Sequence, residues 1–186
     1  MIIRPAHFGD EQRLARVYVD TWMATYRGLL NQSFLSSLNQ RDVTVQWVRT
    51  LEHAETVVYL AQDERQEIVG FITGGKESSG SLAFDAEIYT LYILPDYQHR
   101  GIGNRLLRAA ADALRSAGYG SLVIWVLKGN PAVEFYRKMG GMQVAEKTTP
   151  LGDTHYPEVA FGWLDIQTAG RDPFPISQNT GENLKE

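Results

Sequence analysis

Apolar and polar positions follow two periods along the chain, and the switches between them outline the elements. Residues 2–4 are a short β-branched run that predicts a first strand. From residue 10 to about residue 30, Leu14, Val17, Thr21, Trp22, Thr25 and Leu29 recur at three- and four-residue steps, the spacing of one helix face. Phe34, Leu35 and Leu38 predict a short second helix, and residues 43–51, with Trp47, a third. Residues 56–61 and 68–73 are β-branched runs joined by the polar stretch 63–67, which predicts a hairpin. Residues 87–94 predict another strand, stopped by Pro95.

Over residues 101–117 the pattern turns helical, with Ile102, Leu106, Ala110, Ala113, Leu114 and Ala117 on the buried side and Gly118 and Gly120 at the end. The continuous apolar run at 122–127 predicts a strand covered on both faces. Asn130 as cap and Pro131 at the first helical position open a short helix over 131–139, which Gly140 and Gly141 break. Two strands follow near 142–146 and 159–164. Strand, helix, strand, helix in mid-chain implies a right-handed parallel crossover, so the class is α/β or α+β with a mixed sheet.

After Asp165 the composition shifts to Gln, Thr, Gly, Pro, Asn and Glu, which divides the chain into a domain over 1–165 and a C-terminal extension over 166–186. Phe174 and Ile176, bracketed by Pro173 and Pro175, are its main apolar anchors, with Leu184. The prolines lower the entropy cost of docking. Phe174 is therefore expected to lie in an apolar groove of its own domain or of a second subunit.

At 186 residues the chain suits one domain with a sizeable core. A formal net charge of -4 offers no general attraction for nucleic acid or an anionic membrane, and it weakly suits a cationic substrate. The absence of cysteine removes disulfides, thiolate metal sites and a cysteine nucleophile. His7, His53 and His155 lack metal-ligand spacing, so no metal is expected. The N-terminal residues carry no long apolar run, and 122–127 is too short to span a bilayer; a cytoplasmic location is the expectation.

The informative segment is residues 91–104, in which a strand ends, a tight turn follows and two glycines open a helix. A helix start leaves backbone N–H groups without partners at the positive end of its dipole. Glycines there let the backbone approach an anion, while Arg100, Arg105 and Arg108 add positive charge. Either the turn holds a phosphate or the glycines serve only its geometry. A dinucleotide fingerprint would need a third glycine where Leu106 stands. Residues 70–76 fit the start of a P-loop, but Glu77 replaces the Ser or Thr that binds Mg²⁺, and strand is the better assignment.

Gln98-His99-Arg100-Gly101-Ile102-Gly103 resembles the Gln/Arg-x-x-Gly-x-Gly/Ala motif of the GNAT acetyltransferases, preceded by that family's Leu-Tyr-Ile strand end. Residues 130–140 are similar to the family's Asn-x-x-Ala-x-x-Phe-Tyr-x-Lys-x-Gly segment. Gly141-Met142 stands where Gly-Phe is usual and is taken as a swap within the core. The resemblance implies a mixed, largely antiparallel sheet of six or seven strands flanked by four or five helices, with a splayed parallel pair at the cofactor site.

It also implies acetyl-CoA as cosubstrate. Its pyrophosphate would lie on the backbone amides of Gln98, His99, Arg100, Gly101, Ile102, Gly103 and Asn104. Its pantetheine arm would add to the strand at Leu91 and Ile93, with contacts from Asn130 and Phe135. Tyr136 matches the tyrosine that protonates the departing thiolate. Glu87 resembles the glutamate base of the family's histone acetyltransferases. It lies four and six residues before Leu91 and Ile93, so a regular strand puts all three on one face. A base and a surface carboxylate at a strand start both fit it.

Trp22 and Tyr26 lie in the first helical region, which the resemblance implies is the acceptor wall, where they either line a pocket for an organic cation or belong to the core. The implied reaction is direct attack of a primary amine, from a small molecule or a protein, on the thioester in a ternary complex. The alternative is a non-catalytic acetyl-CoA-binding module. The family also includes homodimers.

Overall fold

A computed structural model describes residues 1–171, and the expected docking of Phe174 lies outside the described residues. Seven strands form one sheet in the order β1-β2-β3-β4-β5-β7-β6. They are β1 (Ile2–Pro5), β2 (Val57–Gln62), β3 (Ile68–Lys76), β4 (Ala86–Ile93), β5 (Leu122–Leu127), β6 (Met142–Leu151) and β7 (Thr154–Trp163). All neighbours are antiparallel except β4 and β5. Five α-helices join them among the described residues: α1 (Glu11–Thr25), α2 (Gln32–Ser37), α3 (Gln40–Glu52), α4 (Ile102–Ser116) and α5 (Ala132–Lys138). The mixed sheet with one parallel pair is the architecture the sequence implied.

Helix α4 covers one face of the sheet. Ile102, Leu106, Leu107, Ala110, Ala111 and Leu114 pack with Ile72, Ile88, Ile124, Phe161 and Trp163 in the largest core cluster. Ile166 and Ala169, past the last strand, belong to the same core. On the other face α1 and α3 pack Leu14, Val17, Val43 and Trp47 onto Leu60, Ile68 and Phe71. A third cluster joins Tyr26, Leu30 and Leu35 to Leu127.

Three details depart from the sequence expectation. Helix α1 ends at Thr25, and the chain turns through Gly28 at φ 82. Tyr26 and Leu30 are thereby buried, and Leu29 is left exposed. Strands β6 and β7 run further than their apolar runs because β6 is an edge strand whose polar residues mask the pattern. Pro150 sits on that edge, and Pro157 lies one position past the end of β5. Met142 is not in the core: 55% of it is exposed, at the first residue of the edge strand.

The start of α1 is tied to β1 by a buried carboxylate. Asp10, 3% exposed, accepts from both Arg4 terminal nitrogens at 2.8 and 3.0 Å, from Arg13 at 2.6 Å and from the His7 amide at 3.0 Å. Burial works to raise its pKa, but the Arg4 and His7 hydrogen bonds and both arginine charges outweigh burial and hold it below the ordinary value. A depressed folded pKa gives stability that is complete above the unfolded value, about 3.9, and is lost as pH falls through the folded one. Asp10→Asn is therefore expected to cost about 2 kcal/mol near neutral pH, with the gap to wild type closing at more acid pH. Urea midpoints measured across the acid range check this, and a gap independent of pH would contradict it.

Candidate active site

Strands β4 and β5 hydrogen-bond only at their beginnings, where Ala86, Glu87 and Ile88 oppose Leu122, Val123 and Ile124. Beyond Ile88 and Ile124 the two strands part. On its other side β4 stays paired to β3 as far as Ile93, with a bulge at Tyr89, since Thr73 opposes Thr90 while Gly74 opposes Ile88. Leu91 and Ile93 thus lie on a strand with one edge unpaired, and their side chains pack on the α4 core.

The bulge overturns the regular alternation assumed for Glu87. One extra residue reverses the faces on its two sides. Ile88, Leu91 and Ile93 share the α4 face, so Glu87 lies on the opposite face, with Thr90 and Tyr92. Glu87 is 8% exposed, and its Oε2 accepts from the Ser78 amide at 3.0 Å and hydroxyl at 2.7 Å.

At the far end of β4, a 3-10 turn over Pro95–Tyr97 leads into α4. Gln98 donates its side-chain amide to the Ile93 carbonyl at 2.9 Å, locking the turn to the strand end. His99 and Gly101 take left-handed conformations, φ 58 and 74. His99 and Arg100 are exposed, and the Arg100 guanidinium lies 5.3 Å from the centre of the Tyr97 ring. Gly101 caps α4, so the amides of Gly101, Ile102, Gly103 and Asn104 have no acceptor within the helix. Gly103 has a second reason to be glycine: a Cβ there would meet the Phe135 ring at 3.1 Å. Phe135 thereby clamps α5 onto the first turn of α4.

Asn130 caps α5, accepting from the Ala132 amide at 2.9 Å, and its Nδ2 donates to the Tyr26 hydroxyl at 3.4 Å. Tyr26 is also hydrogen-bonded to Tyr92. Burial raises the pKa of the Tyr26, Tyr92 and Tyr136 phenols. Trp22 packs on Tyr26 with ring centres 4.6 Å apart, on Tyr18 at 5.5 Å and on Tyr92 at 6.3 Å. A cavity of about 330 Å³ reaches the bulge from the α1–α3 side, lined by Tyr18, Trp47, His53, Thr73, Tyr89 and Thr90.

A parted parallel pair, free amides at the helix below it and a phenol above it match a known arrangement. Residues 18–141 fit the sequence model of the acetyltransferase (GNAT) family. The chain belongs to that family. It is 33% identical over 165 residues to an uncharacterized N-acetyltransferase, YuaI, of Bacillus subtilis, covering 88% of this chain and 93% of that one. It is 25% identical over 144 residues to a spermidine N(1)-acetyltransferase of Thermoplasma acidophilum, covering 74% and 86%. Among solved structures, the PaiA N-acetyltransferase of Thermoplasma acidophilum in complex with coenzyme A superposes with TM-score 0.65 at 23% identity, covering 84% and 96%. A ribosomal-protein-alanine N-acetyltransferase of Brucella melitensis superposes with TM-score 0.70 at 19% identity, covering 88% and 99%.

In this acetyltransferase Leu91, Ile93, Phe135 and Tyr136 share the α4 core, Gly103 of the turn lies against Phe135 and Ile93, and Asn130 meets Tyr26. Trp22 of α1 packs on Tyr26, just past the end of that helix. Tyr92, Tyr18 and Trp125 were not singled out from sequence. Each reads there as an ordinary apolar strand or helix position, and only the phenol network and the parting of the strands distinguish them.

Proposed function

We propose that this N-acetyltransferase binds acetyl-CoA in the gap between β4 and β5 and passes its acetyl group to a primary amine, with both substrates bound at once. The observation that carries this is the parting of β4 from β5 beyond Ile88 and Ile124, with the start of α4 following β4 and Asn130 following β5. Amide groups of a pantetheine arm suit the unpaired edge of β4 at Leu91 and Ile93, as an added strand would. Pyrophosphate suits the amides of the Gln98–Asn104 turn, with charge from Arg100, Arg105 and Arg108. Acetyl-CoA supplies an activated thioester.

The amine nitrogen bonds to the thioester carbon, the C–S bond breaks, and the amine gives up one proton. Glu87, beside the bulge, is our candidate to take that proton, directly or through water. Tyr136 is our candidate to serve the departing sulfur. Its pKa is raised by burial, so it stays protonated through the working pH range. With a phenol less acidic than a thiol, Tyr136 stabilises the sulfur by donating a hydrogen bond as the C–S bond lengthens. The acceptor is a small-molecule amine or a protein amino group. The relationship to a spermidine acetyltransferase makes alkylamines the first to try.

Calorimetry with CoA and a screen of amines for CoA release test the proposal. Gly101→Val forces a β-branched residue into the left-handed region and is expected to weaken CoA binding by about tenfold or more. Unchanged affinity would remove the turn from the site. Tyr136→Phe keeps the ring and removes the hydroxyl, and is expected to lower kcat by about 10²-fold with CoA affinity retained. Full turnover in that variant would leave Tyr136 a packing residue. Glu87→Gln should slow transfer most at neutral pH and recover as pH approaches the amine's own pKa, about 10.4 for an alkylamine. A profile parallel to wild type would exclude Glu87 as the base.

A further inference from the structure

On the sheet face opposite α4, beside the gap, one ammonium group is already held by the chain itself. Lys147 of β6 places its Nζ 4.0 Å from the centre of the Trp125 ring and 3.5 Å from Glu158 Oε2. Thr149 fixes Glu158 by donating its hydroxyl to the same carboxylate. We propose that Lys147 is a resident stand-in, occupying a subsite where Trp125 and Glu158 receive a second, cationic nitrogen of the acceptor. This rests on the acetyl-transfer reading above and narrows the acceptor to an amine carrying another ammonium group, as in an α,ω-diamine.

The position of Trp125 comes first. It is the first β5 residue past the paired stretch that ends at Ile124. Leu122, Ile124 and Val126 pack in the α4 core, so Trp125 lies on the other face, as Leu127 does. Its indole Nε1 is buried with no hydrogen-bond partner among the described residues. Glu158 connects this spot to the gap, because its β5 partner Leu127 packs with Tyr26, the phenol bonded to Asn130.

Charge and exposure complete the argument. One carboxylate and an indole face hold this ammonium. With Lys147 swung away, the spot becomes a site for one organic cation, held by an aromatic face and a carboxylate. Swinging it away is cheap. The Lys147 side chain is 41% exposed and regains full hydration when it swings out, while an incoming ammonium takes over its contacts with Trp125 and with Glu158, which is 16% exposed. An attacking nitrogen must be uncharged, whereas a nitrogen on Trp125 and Glu158 is best charged. One acceptor meets both demands only if it carries two nitrogens.

Two compounds separate the cases: 1,4-diaminobutane, and 4-amino-1-butanol, which presents the same reacting amine with an uncharged end. Calorimetric titration of each into the CoA-saturated protein reads the subsite without turnover. Lys147→Met keeps the apolar stem and frees the ring, and is expected to bind the diamine about tenfold tighter than wild type, with little change for the amino alcohol. Glu158→Gln is expected to weaken the diamine to the level of the amino alcohol. In steady state the same variants should move KM for the diamine and leave kcat within about twofold. Diamine affinities unchanged in both variants, with thermal midpoints intact, would overturn the proposal. Failure of the acetyl-transfer reading shows separately, as no CoA binding in calorimetry or no CoA released with any amine in the screen.

Discussion

Backbone N–H and C=O groups must find partners, and β4 beyond Ile88 is the place where the sheet does not supply them on both sides. Everything around the site follows from that parting. The bulge at Tyr89 adds a residue to β4 just past its last pairing with β5 and reverses which side chains meet α4. Leu91 and Ile93 anchor the strand in the α4 core while its β5-facing edge stays unpaired. The gap therefore has a hydrogen-bonding wall with no partner strand, which is what an extended amide-containing ligand requires.

The walls are held by packing rather than by further hydrogen bonds between strands. Helix α4 enters from the turn after β4, and its first turn is fixed by Phe135 lying against Gly103. Helix α5 follows β5 and is capped by Asn130, whose amide nitrogen reaches Tyr26 across the gap. Elements from both sides of the sheet thus meet through one opening. Burial raises the pKa of the Tyr26, Tyr92 and Tyr136 phenols, so they stay protonated and can donate hydrogen bonds. A chain with formal net charge of -4 also sorts its charges. Arginines stand at and just after the glycine turn, while Glu77 and Glu87 lie at the opposite end of β4.

Much of this was legible in the residues. The helical repeat of Ile102, Leu106, Ala110 and Leu114, the run 122–127, and the Asn130-Pro131 helix start each encode local structure through side chains that neighbour one another in sequence. The two motifs at 98–104 and 130–140 likewise declare an amide turn and a capped helix, and together they marked the family. What the sequence could not declare was the bulge. An extra residue at Tyr89 leaves no compositional trace, and assuming strict alternation placed Glu87 on the wrong face.

The edge strand β6 hid for a related reason. Its residues face solvent on both sides and carry no apolar period, so only pairing with β7 shows that they form a strand. The helix end at Thr25 and the burial of Tyr26 depend on a turn at Gly28 and on contact with Leu127 a hundred residues away. Lys147 reads as one more surface lysine until β6, β7 and β5 bring it over Trp125 beside Glu158. Local periodicity and capping determined the elements and the glycine turn, because those depend on near neighbours. Which faces meet, where two strands part and which charges share a site depend on register between distant segments, and only the tertiary structure decided them.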